Sequence, residues 1–398
     1  MSELSNRINA LAESATIAMA TKARELKAQG KDIISLSLGE PDFKTPKHIQ
    51  EAAKEAIDEG KYFSYPPVPG YPDLRKAIAE KLKKENNIDT TADNIVVSTG
   101  AKHSIANVFM CLINPGDEVL VFSPYWVSYA DQIKLAEGVP VYVQGSIEND
   151  FVVTAQQVED ALTDKTKAVI FSSPCNPTGS VIKRDALKEI AAVLSKRKDV
   201  YVISDEIYEY INYTGDHVSI GSFPEMKDNT ITVNGMSKGY AMTGWRVGYI
   251  SAPIWLAKAC SKFQGQFTSG TCSIAQRAAL AAITGDQGPT IEMGKAYLRR
   301  RDLVLDMLNE IPGLITPVPE GAFYFFPDIS SYFGKSDGNT TINSSGDMSL
   351  YLLSDAQVST VAGGAFGAPN CIRISYAASD EDLVEAIKRI KNSLAKLK

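Results

Sequence analysis

A chain of 398 residues is long for one hydrophobic core, so two domains, or one large domain with a satellite, are expected. Its 44% hydrophobic and 22% charged residues are ordinary for a globular protein, and a net charge of −6 argues against a nucleic acid or an anionic membrane as partner. Five scattered cysteines without a CxxC spacing read as reduced thiols of a cytoplasmic protein, and three histidines without metal-ligand spacing point away from a His-built metal site. The first residues, MSELSNRINALAES, show no signal pattern, and no apolar run reaches membrane-spanning length.

Residues 16–29 read as a helix ended by Gly30. A strand candidate at 32–38 runs into Gly39-Glu40-Pro41, a break that suits a backbone approaching something closely. Thr45 reads as a helix cap with Pro46 at the first helical position, and Ile49, Ala53, Ala56 and Ile57 as one apolar face. Residues 61–72, KYFSYPPVPGYP, are too rich in proline and aromatics for regular structure; this loop packs on a second subunit or on its own domain. Leu74, Ile78 and Leu82 mark a helix, 95–98 a strand, 99–102 a tight turn and 104–113 a helix. Strands at 118–123, 139–144, 167–172 and 200–207 then alternate with helical stretches that include 155–162 and 185–195. That rhythm implies a largely parallel sheet covered on both faces, with ligands at the carboxyl ends of its strands. Beyond Gly288 the texture changes. A long helix at 291–311, strands at 322–327, 358–362 and 371–376, a polar loop at 330–347 expected to be mobile, and a last helix capped by Ser379 and Asp382 suggest a smaller α+β domain.

The chemistry concentrates at strand ends. In 231–248, ITVNGMSKGYAMTGWRVG, Lys238 follows a broken strand and precedes Arg246. Such a lysine can form a Schiff base, and its pKa falls when it is desolvated, while the arginine can meet an anion. Ser237-Lys238-Gly239 alone is an ordinary loop. STGAK at 98–102 joins a strand to a helix N-terminus, an anion site, with Lys102 in the first turn; neither a P-loop nor GxGxxG is present. Asp205, ending an apolar strand, needs a cation or donor, or else caps a neighbouring loop; Tyr208 could offer its phenol to the same pocket. Asn176 sits in a Pro-rich turn after another strand, and Trp126 either stacks on a planar ring or belongs to the core. Arg373 alternates onto a face with Cys371 and Ser375 and wants a carboxylate from protein or substrate.

Together these residues match the needs of pyridoxal 5′-phosphate. The chain resembles the fold-type I, class I aminotransferases, most closely the bacterial aspartate aminotransferases. The likeness rests on GEPDF at 39–43, YPPVPGYPDLR at 65–75, STGAK at 98–102, SPYWVSY at 123–129, NPTG at 176–179, SDEIYE at 204–209, SKGYAMTGWRVGY at 237–249, GAFY at 321–324 and IRISYA at 372–377. It implies an α/β fold: a large domain, 45–290, with a mostly parallel seven-stranded sheet between helices, and a smaller α+β domain from 291–398 with residues 1–44. By the same likeness Lys238 is the Schiff-base lysine, Asp205 the partner of the ring nitrogen, and Asn176 and Tyr208 the ligands of the ring oxygen. Trp126 stacks on the ring; Gly100, Ala101, Lys102, Ser237 and Arg246 surround the phosphate, with Tyr65 reaching it from the other subunit of a homodimer. Arg373 and the Gly39 backbone take the substrate α-carboxylate, Lys102 the distal one, with Trp126 and Asn176 beside them.

The implied activity is transfer of the amino group from aspartate to 2-oxoglutarate by a ping-pong route, with no metal. Aromatic or prephenate transamination is the alternative, then a lyase, or a non-catalytic regulator that would carry an added DNA-binding module. Two positions depart from the pattern: Gly235 stands where many relatives have a phosphate-binding serine, and Ala12-Glu13-Ser14 where close relatives show a basic residue, Pro and Ser. The second departure weighs against prephenate.

Overall fold

The computed structural model describes residues 4–398. Its strands are β1 Ile34–Ser35, β2 Ile95–Ser98, β3 Glu118–Ser123, β4 Val139–Gln144, β5 Thr166–Ser172, β6 Tyr201–Asp205, β7 Thr230–Gly235, β8 Gly248–Ser251, β9 Tyr324–Phe325, β10 Val358–Ser359, β11 Val361–Ala362 and β12 Ile372–Ser375. Seven of them form one sheet in the order β2-β8-β7-β6-β5-β3-β4. Only β8 runs against its neighbours, β2 and β7; the other pairings are parallel. Parallel strands need covered crossovers, and the sequence supplies apolar side chains to both faces. Val119 and Val121 pack with Ile105, Val108 and Leu256 on one side, while Leu120 and Phe122 pack with Leu187 and Ile190 on the other. Each such fully buried side chain contributes about 1.5–3 kcal/mol.

The remaining strands are short. β11-β12-β9 form an antiparallel sheet, and β1 pairs in parallel with β10, which ties the start of the chain to its last third. The helices Gly288–Asn309 and Asp380–Leu394 pack there, with Tyr297, Val304, Leu383, Ile387 and Ile390 in a core that also holds Tyr208, Phe323 and Tyr324. Arg300 of the long helix donates to both carboxylate oxygens of Asp42, at 2.8 and 2.9 Å, and lies over Phe43. The loop that carries Gly39 is therefore pinned from behind.

Several local expectations are corrected. The strands foreseen at 32–38 and 322–327 shrink to two residues each, because apolar runs there pack as irregular core rather than as ladder. Thr45 does not cap the helix Lys47–Asp58: its hydroxyl donates to the Ala241 carbonyl at 2.7 Å and accepts from Trp245 Nε1 at 2.9 Å, so Pro46 takes the cap position. Ile57 is 51% exposed and leaves the apolar face to Ile49, Ala53 and Ala56. The helix foreseen from Ser104 starts at Ala101, directly after the Gly100 turn. The polar segment 330–347 is packed down: Tyr332 and Ile342 are buried, Ser336 pairs with the C-terminal Lys398, and Ser344 caps a helix at Ser345–Tyr351.

Candidate active site

The carboxyl ends of β2, β3, β5, β6 and β7 open on one cleft of about 550 Å³. Its wall holds Gly39, Ala101, Lys102, Trp126, Asn176, Asp205, Tyr208, Ser237, Lys238, Arg246 and Arg373; most of them lie at or just beyond strand ends, Gly39 comes on the pinned segment after β1, and Arg373 comes from within β12. Gly100 lies just beneath Arg246: at its φ of +88° a side chain is strained, and a Cβ would stand 2.5 Å from Arg246 Nη2. Gly39 brings its carbonyl to the Lys238 ammonium, and a side chain on it would strike the Tyr324 hydroxyl. Gly235 pairs with Gly248 and does not reach the wall, whereas Ser237 does. Tyr65 lies outside this cleft, 94% exposed.

Burial brings the Lys238 amine down to about 8; Arg373 and Arg246 push the same way, while Glu40 and Asp205 oppose them. Burial also raises Asp205 to about 6, against a 2.7 Å hydrogen bond from the Tyr129 hydroxyl and one from the Ile207 N–H. A buried amine and a buried carboxylate therefore each stand within reach of neutral pH, a pairing typical of proton-transfer sites. The phenols of Tyr208 and Tyr324 share a 2.7 Å hydrogen bond. Arg373, 1% exposed, donates to Asn176 Oδ1 at 2.8 Å and to the Ser37 carbonyl at 2.6 Å, and lies between the rings of Tyr324 and Phe366. Its Nε is buried with no partner among the described residues, a donor left for a ligand. Arg246 donates to the Thr243 carbonyl at 2.9 Å. Lys102 lies over the Trp126 ring, 4.9 Å from its centre, and makes no ion pair among the described residues.

A family model described as aminotransferase class I and II matches residues 31–390. The chain belongs to that family. It is 46% identical over 395 residues to a probable aspartate/prephenate aminotransferase of Rhizobium leguminosarum bv. phaseoli, covering 98% of each chain. It is 43% identical over 389 residues to an aspartate aminotransferase of Bacillus sp. (strain YM-2), covering 97% of this chain and 98% of the other. Among solved structures, the aspartate aminotransferase of Rhizobium meliloti superposes over 100% of both chains with a TM-score of 0.96 and 40% identity. The chain is thus a pyridoxal 5′-phosphate-dependent aminotransferase.

The residues of this cleft fit that cofactor. The helix Ala101–Leu112 begins at Gly100 with no side chain capping it, so its first N–H groups face the side where Arg246 stands, as a phosphate requires. Lys238, Asp205 and the Tyr208 phenol supply an amine, an acid and a hydroxyl on the same wall. Sequence reasoning missed Tyr129, Tyr324 and Ser37. Tyr129 was findable: three residues after Trp126 at the start of the helix Ser128–Leu135, it turns to the same side, and the two rings meet edge to face at 5.5 Å.

Proposed function

We propose that this aminotransferase moves the amino group of aspartate to 2-oxoglutarate, as a cytoplasmic homodimer. The observation that carries this reading is the pair of cations, Arg373 and Lys102, on one wall with Lys238, neither ion-paired to a protein carboxylate among the described residues. A dicarboxylate amino acid has one carboxylate for each. Arg373, pre-set by Asn176 and the Ser37 carbonyl, takes the α-carboxylate beside the Gly39 backbone. Lys102, at the rim over Trp126, takes the distal one.

Lys238 is the residue that would hold pyridoxal 5′-phosphate covalently, with Gly100, Ala101, Ser237 and Arg246 around its phosphate, Asp205 at the ring nitrogen, Asn176 and Tyr208 at the ring oxygen, and Trp126 on the ring face. When bound, the cofactor supplies an electron sink for charge developing at the substrate Cα. Lys238, once freed, would take the proton from the donor's Cα and, in the second half, deliver one to the acceptor's Cα, a task suited to an amine that burial has brought to about 8. Asp205, held by Tyr129, would as a carboxylate keep a proton on the ring nitrogen it faces. The segments 4–44 and 291–398 act as a small domain that brings Gly39 and Arg373 to the 45–290 domain.

Tyr65 completes the phosphate site of a second subunit. Its support is exposure: Phe63, Tyr65 and Phe267 are 70%, 94% and 76% exposed, an aromatic surface suited to a partner. Hybrid dimers of Tyr65 and Lys238 variants should recover activity that neither variant has alone; verified hybrids without recovery would refute a shared site. Aromatic or prephenate transamination is favoured by the apolar part of the wall, Ile17, Leu38 and Trp126. A donor panel with 2-oxoglutarate decides between the readings. Aspartate and glutamate should lead phenylalanine, tyrosine and alanine in kcat/KM, and parity among them would overturn the acidic-substrate assignment.

A further inference from the structure

Behind β6, away from the cleft, lies a second buried cluster of ionisable groups. Glu206, 1% exposed, accepts from Ser204 Oγ at 2.9 Å, Ser219 Oγ at 2.6 Å and Asn86 Nδ2 at 3.4 Å, and meets His217 Nε2 at 2.8 Å. Glu209 meets the Lys81 ammonium and accepts from Asn86 Nδ2 at 2.8 Å; Lys81 also donates to Asn86 Oδ1 at 2.8 Å. Lys81 and Asn86 come from the helix Pro72–Asn86, so the cluster staples that helix to the turn after β6. Glu206, Glu209 and His217 present ligand-type atoms within 4.8 Å of one another, yet every carboxylate oxygen already has a protein donor. The arrangement is complete without a metal.

Two buried carboxylates demand two cations, and Lys81 and a protonated His217 provide them. Burial pulls His217 down, but the charge and hydrogen bond of Glu206, with the charge of Glu209, outweigh it and leave the imidazole above its ordinary value. The other titratable groups at the cluster are Glu85, 3.7 Å from Lys81, the Tyr210 ring beneath Lys81, and Tyr240 and Tyr249.

Glu206 directly follows Asp205. Alternation along a strand end puts the two carboxylates on opposite sides, Asp205 toward the cleft and Glu206 toward the cluster. Four donors on Glu206 fix the backbone rotation at this point, while among the described residues Asp205 itself accepts from Tyr129 and the Ile207 N–H alone. We propose that the Glu206–His217 pair, stapled through Asn86, is a positioning pair that orients Asp205 and sets the charge behind it; this rests on reading Asp205 as the ring-nitrogen partner.

The test compares Glu206→Gln, His217→Gln and Asp205→Asn in two readouts: cofactor affinity of the apo-protein by fluorescence titration, and the pH midpoint of the holoenzyme's visible absorbance. Glu206→Gln and His217→Gln should each weaken affinity about tenfold, the worth of one buried charge-assisted hydrogen bond. Their absorbance midpoints should move in opposite directions, down when the anion is removed and up when its balancing cation is removed. A purely structural staple would lower the melting temperature and leave both readouts at wild-type values, which would overturn the proposal. Should a charge variant fail to fold, the wild-type protein serves: coupling is reciprocal, so the NMR-titrated imidazole midpoint of His217 must shift on cofactor loading. No shift overturns the proposal as well. Asp205→Asn separates the two levels. Wild-type behaviour in that variant removes the reading of Asp205 and this proposal together. Loss of affinity there, with wild-type values in the other two, removes this proposal alone.

Discussion

The two cations of the cleft are built in opposite ways. Arg373 is buried in the middle of β12, with two fixed acceptors and two flanking rings. Lys102 stands at the cleft rim in the first turn of the helix Ala101–Leu112, partly open to solvent and partly covered, with one aromatic face under it and no carboxylate to hold it among the described residues. A guanidinium fixed before the ligand arrives loses little freedom on binding and offers a planar fork for a carboxylate. An ammonium on a flexible stem can meet groups at several positions or swing aside. The contrast separates what every amino acid shares from what distinguishes one from another.

The sharpest way to break that comparison is to remove the amine that shares the cleft wall with both cations. Lys238→Ala should lower turnover roughly 10⁴-fold or more for every donor, since both covalent attachment and proton transfer go with it. Steady-state rates together with the loss of the visible cofactor band check this; undiminished turnover would end the whole assignment. Arg373→Ala comes next. It removes a buried fork and strands Asn176 Oδ1 and the Ser37 carbonyl, so kcat/KM should fall by about 3–5 kcal/mol, roughly 10²–10⁴-fold. The loss should be equal for aspartate, alanine and phenylalanine. A loss confined to the acidic donors would exchange the roles of Arg373 and Lys102.

Arg373 and Lys102 also differ in how readable they were. Arg373 announced itself as a charged residue alternating inside an apolar strand, and Lys238 and Arg246 as cations at a strand-end loop. The β/α rhythm of 95–251 was legible because each strand is an apolar run between turn residues, and burial on both faces leaves little else for such runs to do. The last third was harder. Tyr324–Phe325 and Val358–Ser359 are ladders of two residues inside longer apolar stretches, and nothing local marks where pairing stops. Thr45 looked like a cap because the sequence does not show Trp245 arriving to use its hydroxyl. Glu206 lay in SDEIYE, but its partner Asn86 is 120 residues away, and nothing local shows that His217, 11 residues on, folds back onto it.

Lys102→Ala should have a smaller and selective effect. One charge-assisted contact is worth about 1.5–3 kcal/mol, so kcat/KM for aspartate and glutamate should fall about ten- to over a hundred-fold while alanine and phenylalanine change little. A uniform fall that tracks cofactor affinity would make Lys102 a phosphate ligand instead.

The smallest effect needs no substitution and follows from the same difference between the cations. Burial, and then the charge of Arg246, lower the Lys102 pKa below its ordinary value. Arg373 is also lowered by its burial, but a guanidinium starts so high that it keeps its charge throughout the working range. As pH rises, Lys102 is therefore the cation that loses its proton first, and its contribution to the distal carboxylate is present below its pKa and lost above it. The pH dependence of kcat/KM reports groups of the free enzyme, Lys238 included. Taking the aspartate-to-alanine ratio of kcat/KM cancels every group that serves both donors and leaves the one that reads the distal carboxylate. That ratio should be flat at neutral pH and decline toward the alkaline end, and in Lys102→Ala it should be low and flat throughout. A wild-type ratio that stays constant into strongly alkaline solution would show that Lys102 does not titrate there or does not touch the substrate. An unchanged slope in Lys102→Ala would assign the titration to another group.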